Sequence, residues 1–201
     1  MEFLHTDRDI AVILKPVGMD SEREAPAAIA QALGGQVFPI HRLDQNVGGC
    51  MVYARTRPAA AALSRAVQDG QMKKEYVARV HGTPPESGDW QDLLWKDSAK
   101  NKVFVVKRER KGVKPARLEF TRLSAGETSL VRILLHTGRS HQIRVQFASR
   151  GLPLLGDGKY GSRDNRCACA LWSYRLSFPD GKDEAVFEAQ PPSRFPWTVF
   201  F

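Results

Sequence analysis

Residues 37–54 read VFPIHRLDQNVGGCMVYA, and this stretch decides the fold. Residues 37–40 and 50–54 are short apolar runs, and the segment between them is polar and contains the Gly48-Gly49 pair. That pattern is strand, loop, strand, with His41-Arg42-Leu43-Asp44 presented on the loop. Downstream, Thr56 is placed to cap a helix over 57–68, with Pro58 in its first turn and Gly70 just past its end. The helix stripe of Ala59, Leu63, Ala66 and Val67 is small, which suits close packing on a sheet. Upstream, the apolar run 10–14 stops at Lys15-Pro16-Val17-Gly18, and residues 24–33 read as a short helix ended by Gly34-Gly35.

Beyond this region, strands are expected over 75–81, 103–106, 117–123, 130–135, 171–178 and 185–189. A short helix is expected over 140–149, with Ile143 and Phe147 on its buried face and Gly151 after it. Many strands with helices out of strict alternation predict an α+β fold with a mostly antiparallel sheet.

The chain has 201 residues, of which 42% are hydrophobic and 26% charged, so disordered, collagenous and coiled-coil classes are excluded. That length suits one domain over 1–201, or one domain with a minor lobe. Thirty Lys and Arg against 22 Asp and Glu leave a formal charge of +8, which favours a polyanionic partner, above all nucleic acid. Residues 96–117 hold nine basic side chains against two acids (Asp97 and Glu109), a net +7. The flanking strands and the Lys111-Gly112 break suggest a long basic hairpin, although a solvated ribbon has the same pattern. Three cysteines (Cys50, Cys167, Cys169) and the absence of any long apolar stretch predict a cytoplasmic protein with reduced thiols.

Three segments could carry chemistry. Asp44, beside Arg42 and ahead of glycines, could serve as nucleophile, general base or metal ligand, or form a turn with a surface ion pair. Tyr76, in KKEYVARVHG at 73–82, could stack on a flat ligand or fill the core. Arg144, in LHTGRSHQIRVQ at 135–146, either reaches a carboxylate at the edge of the helix's buried face or is solvated. A metal is not expected: His136 and His141 straddle a strand–helix break, and Cys167-Ala168-Cys169 has no second pair. A phosphodiesterase would need a pair of acid and base histidines that the pattern lacks.

Taken in order, HRLD at 41–44, the Tyr76 and Arg144 segments and GLPLLGDGKYG at 151–161 resemble the RluA family of RNA pseudouridine synthases. The opening stretch ending in KPVG and the closing LWSYRLSFPDG are similar as well, so the resemblance covers nearly the whole chain. It implies a pseudouridine synthase fold: a bent, mostly antiparallel mixed sheet with flanking helices and a central RNA-binding cleft. It also implies a single catalytic domain without the S4 module of some relatives. Asp44 matches the catalytic aspartate, Tyr76 the active-site tyrosine, and Arg144 the arginine that pairs with the aspartate. Arg42 matches the arginine that lies at the target nucleotide. The RNA-binding set expected around these is Arg42, His41, Lys74, Arg139, His141, Gln142, Lys107, Arg108, Arg110 and Lys111. The substrate it implies is ribosomal RNA, transfer RNA or both, no cofactor or metal is implied, and a monomer is expected. The alternative is an RNA-binding or ribosome-assembly protein that keeps the fold without catalysis. The chain departs from the family pattern at Val47-Gly48-Gly49, Gln146 and Trp172, which bears on substrate choice.

Overall fold

The computed structural model describes residues 1–198, so the last three residues of the expected 1–201 domain lie outside the described residues. In chain order the elements are β1 (Glu2–Thr6), β2 (Ile10–Lys15), α1 (Glu24–Leu33), β3 (Phe38–Pro39), β4 (Gly48–Ala54), α2 (Arg57–Gln68) and β5 (Lys73–His81). They continue with β6 (Ser87–Asp97), β7 (Lys102–Val106), β8 (Val113–Ser124), β9 (Thr128–Leu135), α3 (Gln142–Ala148), a single 3₁₀ turn (Gly158–Tyr160), β10 (Leu171–Asp180) and β11 (Asp183–Glu188). Strands of both orientations with a few helices make this an α+β fold. The chain forms two compact units, the first built from 1–74 with 172–191 and the second from 75–171 with the segment that follows Pro191.

In the first unit the strands lie in the order β1-β2-β4-β10, with β3 also on β4 and β11 on β10. Strands β2 and β4 pair antiparallel from Ile10 opposite Ala54 to Lys15 opposite Gly49. Every residue of β4 is buried. Cys50, Val52 and Ala54 share one side of the strand with Leu63 and Ala66 of α2 and with Leu176 and Phe178 of β10. The small α2 stripe thus does what its composition predicts, letting the helix lie close to the sheet. The Thr56 side chain accepts from the Ala59 N–H at 3.4 Å, and Gly70 takes a left-handed φ of 69° after the helix.

The two glycines that begin β4 are explained by close approach. Gly48 and Gly49 pair in parallel with Trp172 and Ser173 of β10. A Cβ on Gly48 would lie 2.5 Å from the Trp172 ring, and one on Gly49 would run into the Ser173 backbone. Trp172 is buried, and its indole N–H donates to the Ala189 carbonyl at 2.8 Å. Two departures from the family pattern are therefore one packing solution, with the larger ring filling the space the glycine leaves.

The second unit has the strand order β5-β9-β8-β6-β7. Strand β6 was not expected from the sequence, because Gly88 and the scattered acids Asp89, Asp92 and Asp97 mask its alternation. Its presence corrects the hairpin reading of 96–117. Strands β7 and β8 do not pair with each other; both pair antiparallel with β6, at Trp95 opposite Phe104 and Trp95 opposite Val113. The basic residues 107–112 therefore form a crossover past β6. The core of this unit gathers Leu94, Val103 and Ala116 against Val145 of α3 and Tyr160.

The Gly48–Trp172 contact predicts a coupled pair. Gly48→Ala should destabilise the protein by ~1–3 kcal/mol through overpacking, and adding Trp172→Leu should recover part of that loss. Denaturant midpoints of the two single variants and the double variant measure this coupling. Simple additivity would show that the ring and the glycine do not constrain each other.

Candidate active site

In the first unit the Asp44 loop is braced from both sides. Lys15, the last residue of β2, is fully buried, and its ammonium donates to the carbonyls of Pro16 (3.0 Å), Met19 (2.9 Å) and Gln45 (3.4 Å). The Gly18 N–H also donates to the Gln45 carbonyl at 2.8 Å, and the Gln45 amide returns a bond to the Gly18 carbonyl at 2.8 Å. On the other side, the buried Ser21 hydroxyl donates to the Leu43 carbonyl at 2.9 Å, and Tyr53 of β4 donates to the Ser21 carbonyl at 2.8 Å. The Val47 N–H closes a turn on the Asp44 carbonyl at 2.9 Å. The residues flanking Asp44 are thus tied to β2 and β4, while Asp44 itself stays partly exposed.

Burial pushes the Lys15 ammonium down to about 8, opposed by the carboxylates of Asp20, Asp44 and Glu24. The lysine therefore adds positive potential at the Asp44 loop as well as hydrogen bonds. Arg42 is exposed, with the Glu22 carboxylate at 3.7 Å. Lys74 is half-buried, and desolvation lowers its pKa. His41 has an internal role: its Nε2 accepts from the Val52 N–H at 3.2 Å. Its proton therefore sits on Nδ1, which is buried and has no hydrogen-bond partner among the described residues.

In the second unit, Tyr76 lies on β5 and is buried. Arg144 is buried on α3 and makes a bidentate pair with buried Asp157, Nε to Oδ2 at 2.7 Å and Nη2 to Oδ1 at 2.8 Å. Its guanidinium also lies over the Tyr160 ring, 5.1 Å from the centroid. The Tyr160 hydroxyl accepts from the Val103 N–H at 2.9 Å and bonds His141 Nδ1 at 2.8 Å. His141 precedes α3 with a left-handed φ of 51°, an unusual conformation for a residue with a Cβ.

Sequence reasoning pointed to a carboxylate for Arg144 but did not select Asp157 or Tyr160, although both lie in the 151–161 motif. Their signal was a lone acid between two glycines, Gly156 and Gly158, followed by an aromatic ring. Gln142 turns inward, its carbonyl accepting from the Thr137 hydroxyl at 2.8 Å and from the Arg139 N–H at 3.1 Å, and its amide donating to the Arg117 carbonyl at 3.1 Å. Gln146 is likewise internal, donating to Asp92 at 2.7 Å. Arg139 donates through Nε to the Pro115 carbonyl at 2.9 Å. Lys107, Arg108, Arg110 and Lys111 are all exposed on the crossover. Among the described residues no group of three or more His, Cys, Asp or Glu is placed to hold a metal ion.

Burial pushes the His41 pKa from 6.5 down to about 3. Between those values the unfolded chain binds a proton that the folded chain refuses, so this histidine makes stability fall as pH falls from 6.5 toward 3. A His41→Gln variant, whose side-chain carbonyl can reach the Nε2 position and accept from Val52, should lose less stability than the wild type between pH 7 and pH 4. The difference approaches ~1.4 kcal/mol per pH unit for one full proton. Denaturation curves at both pH values check it, and equal slopes for the two proteins would show that His41 titrates normally.

The sequence model of the RNA pseudouridylate synthase family matches residues 9–149. An uncharacterised RNA pseudouridine synthase of Aquifex aeolicus is 31% identical, over 97% of this chain and 71% of its own length. The dual-specificity RNA pseudouridine synthase RluA of Escherichia coli is 32% identical over 81% of this chain and 78% of its own. Among solved structures, human RNA Pseudouridylate Synthase Domain Containing 1 superposes with a TM-score of 0.84 at 20% identity, covering 97% of this chain and 84% of that one, which shows a common fold. The motif order, the fold and these relatives agree, and the chain belongs to the RluA family of RNA pseudouridine synthases, isomerases that act on RNA.

Proposed function

We propose that this enzyme converts specific uridines of ribosomal or transfer RNA to pseudouridine, with Asp44 as the reacting carboxylate and Tyr76 and Arg144 completing the catalytic set. The observation that carries this reading is the bracing around Asp44. Both neighbours in sequence, Leu43 and Gln45, have their carbonyls held by Ser21 and Lys15, whereas the Asp44 carboxylate sits on a partly exposed turn. A fixed backbone around an accessible carboxylate is what a positioned nucleophile or base requires.

The reaction breaks the N1–C1′ bond of uridine, turns the base, and forms C5–C1′. The proton on C5 leaves to solvent and N1 takes one up. No electrons are gained or lost and no group is imported, so the chemistry calls for no cofactor. An ionised oxygen on Asp44 either attacks the nucleoside or assists departure of the base, and both routes need the charged form. Arg144 is assigned the role of the catalytic set's cation. Its orientation is fixed beforehand by Asp157 and Tyr160. Tyr76 is assigned to stacking on the uracil and to removal of the C5 proton. A target uridine within folded RNA must be unstacked first, at a cost of a few kcal/mol, and Arg42 is suited to brace the vacated position.

Arg42, Lys74, Arg139, His141 and the crossover cations Lys107, Arg108, Arg110 and Lys111 supply the proposed RNA contacts. His41 and Gln142 serve instead by holding their loops. Three free cysteines suit a reducing cytoplasm, and no helix among the described residues is long and apolar enough to cross a membrane.

Asp44→Asn keeps the side-chain shape and removes only the ionised oxygen. The variant should bind RNA within about twofold of the wild type while forming no detectable pseudouridine. Nucleoside analysis of RNA incubated with protein shown homogeneous by intact mass is the check. Turnover at the wild-type rate would remove Asp44 from the mechanism, and equal loss of binding would make it an RNA-contacting residue.

A further inference from the structure

The chain from β7 to β8 must cross β6, and it does so at an aromatic pair. Trp95 of β6 lies opposite Phe104 of β7, with ring centroids 6.3 Å apart and planes tilted by 30°. The Arg110 guanidinium rests over the Trp95 ring at 4.4 Å, and the Val113 N–H closes a turn on the Arg110 carbonyl at 3.0 Å. Trp95 thus anchors the crossover. Phe104 stays 36% exposed on the same sheet face, with the Lys102 ammonium 5.8 Å from its centroid.

The charge around this pair is unbalanced. Arg117 is occupied by Asp89 (2.9 Å) and Glu119 (2.8 Å), and Lys100 lies 4.0 Å from Asp97. Among the described residues, Lys107, Arg108, Arg110, Lys111 and Lys114 have no carboxylate partner. All five are exposed. An exposed ring framed by uncompensated cations suits a ligand that offers flat apolar faces and regular negative charge together. Unpaired RNA has both; a duplex presents its backbone and keeps its bases stacked inside.

We propose that Phe104, backed by Trp95, is a stacking platform for an unpaired base of the RNA substrate, whose flanking phosphates are gripped by the 107–114 cations. This rests on the RNA-modifying role proposed above and adds to it a preference for single-stranded sequence at this surface. Neither aromatic residue belongs to the motifs that mark the family.

The test compares binding of an unstructured oligouridine RNA and of a blunt RNA duplex of equal length across a salt series. Phe104→Ala should weaken single-strand binding by ~5–100-fold, the range for loss of one stacked base, without changing the slope of log K against log salt. Phe104→Tyr should restore it, and duplex binding should not respond to either change. Replacing Lys107, Arg108, Arg110 and Lys111 together by Ser should flatten the single-strand slope by up to ~3, at about 0.7 per phosphate contact. Wild-type single-strand affinity in Phe104→Ala, or an equal loss on duplex, would overturn the platform and leave this face to another partner, such as an acidic protein. Pseudouridine formation by the wild-type protein is scored separately. If it occurs while Phe104→Ala binds normally, only the platform fails; if it does not occur, the functional reading fails, and the binding series still decides the platform.

Discussion

A lysine ammonium with no exposure to water organises the first unit around the Asp44 loop. Lys15 spends its three N–H bonds on the carbonyls of Pro16, Met19 and Gln45. Burying a cation without a carboxylate in direct contact is costly, and only a full set of hydrogen bonds makes it tolerable. The carbonyl cage compensates by holding the 16–19 turn and the Asp44 loop in one arrangement. Because burial brings the Lys15 pKa to about 8, its positive potential is present at neutral pH and fades in alkali. The KPVG turn is thus part of the support of the carboxylate, although it supplies no reacting group in the proposed mechanism.

The second unit solves the corresponding problem for a guanidinium in a different way. Arg144 is also buried, but it has a carboxylate partner in Asp157 and an aromatic face in Tyr160. Removing Asp157 would strip the buried guanidinium of its bidentate pair and destabilise the fold. Tyr160 links the guanidinium to the left-handed His141 and to the Val103 backbone of β7. The strand that ends in the basic crossover is therefore tied to the helix that carries Arg144. One lysine in a carbonyl cage steadies the Asp44 loop, and one arginine is itself fixed in a bidentate pair.

Local signals made part of this architecture legible. Thr56, Pro58 and Gly70 delimit α2, and the apolar run of β4 marks a strand buried on both faces. Strand β6 escaped because acids fall on both of its sides and Gly88 interrupts it, so its partners β7 and β8 looked like each other's. Which strands are neighbours is a non-local property, and no turn residue encodes it. The same holds at the site. Asp44, Tyr76 and Arg144 stand in recognisable motifs, but the inward turn of His41 and Gln142 depends on the backbone groups of Val52 and Arg117, which are remote in sequence. The departures at Gly48 and Trp172 looked like changes of specificity, yet they fill each other's space.

Release of tritium from RNA labelled at uridine C5 tests the central claim most directly, because isomerisation must expel that hydrogen. With ribosomal and transfer RNA transcripts as substrates, the wild-type protein should release tritium in step with pseudouridine appearing at defined positions. RNA that is bound but yields neither tritium nor pseudouridine, over a panel covering both classes, would contradict the account.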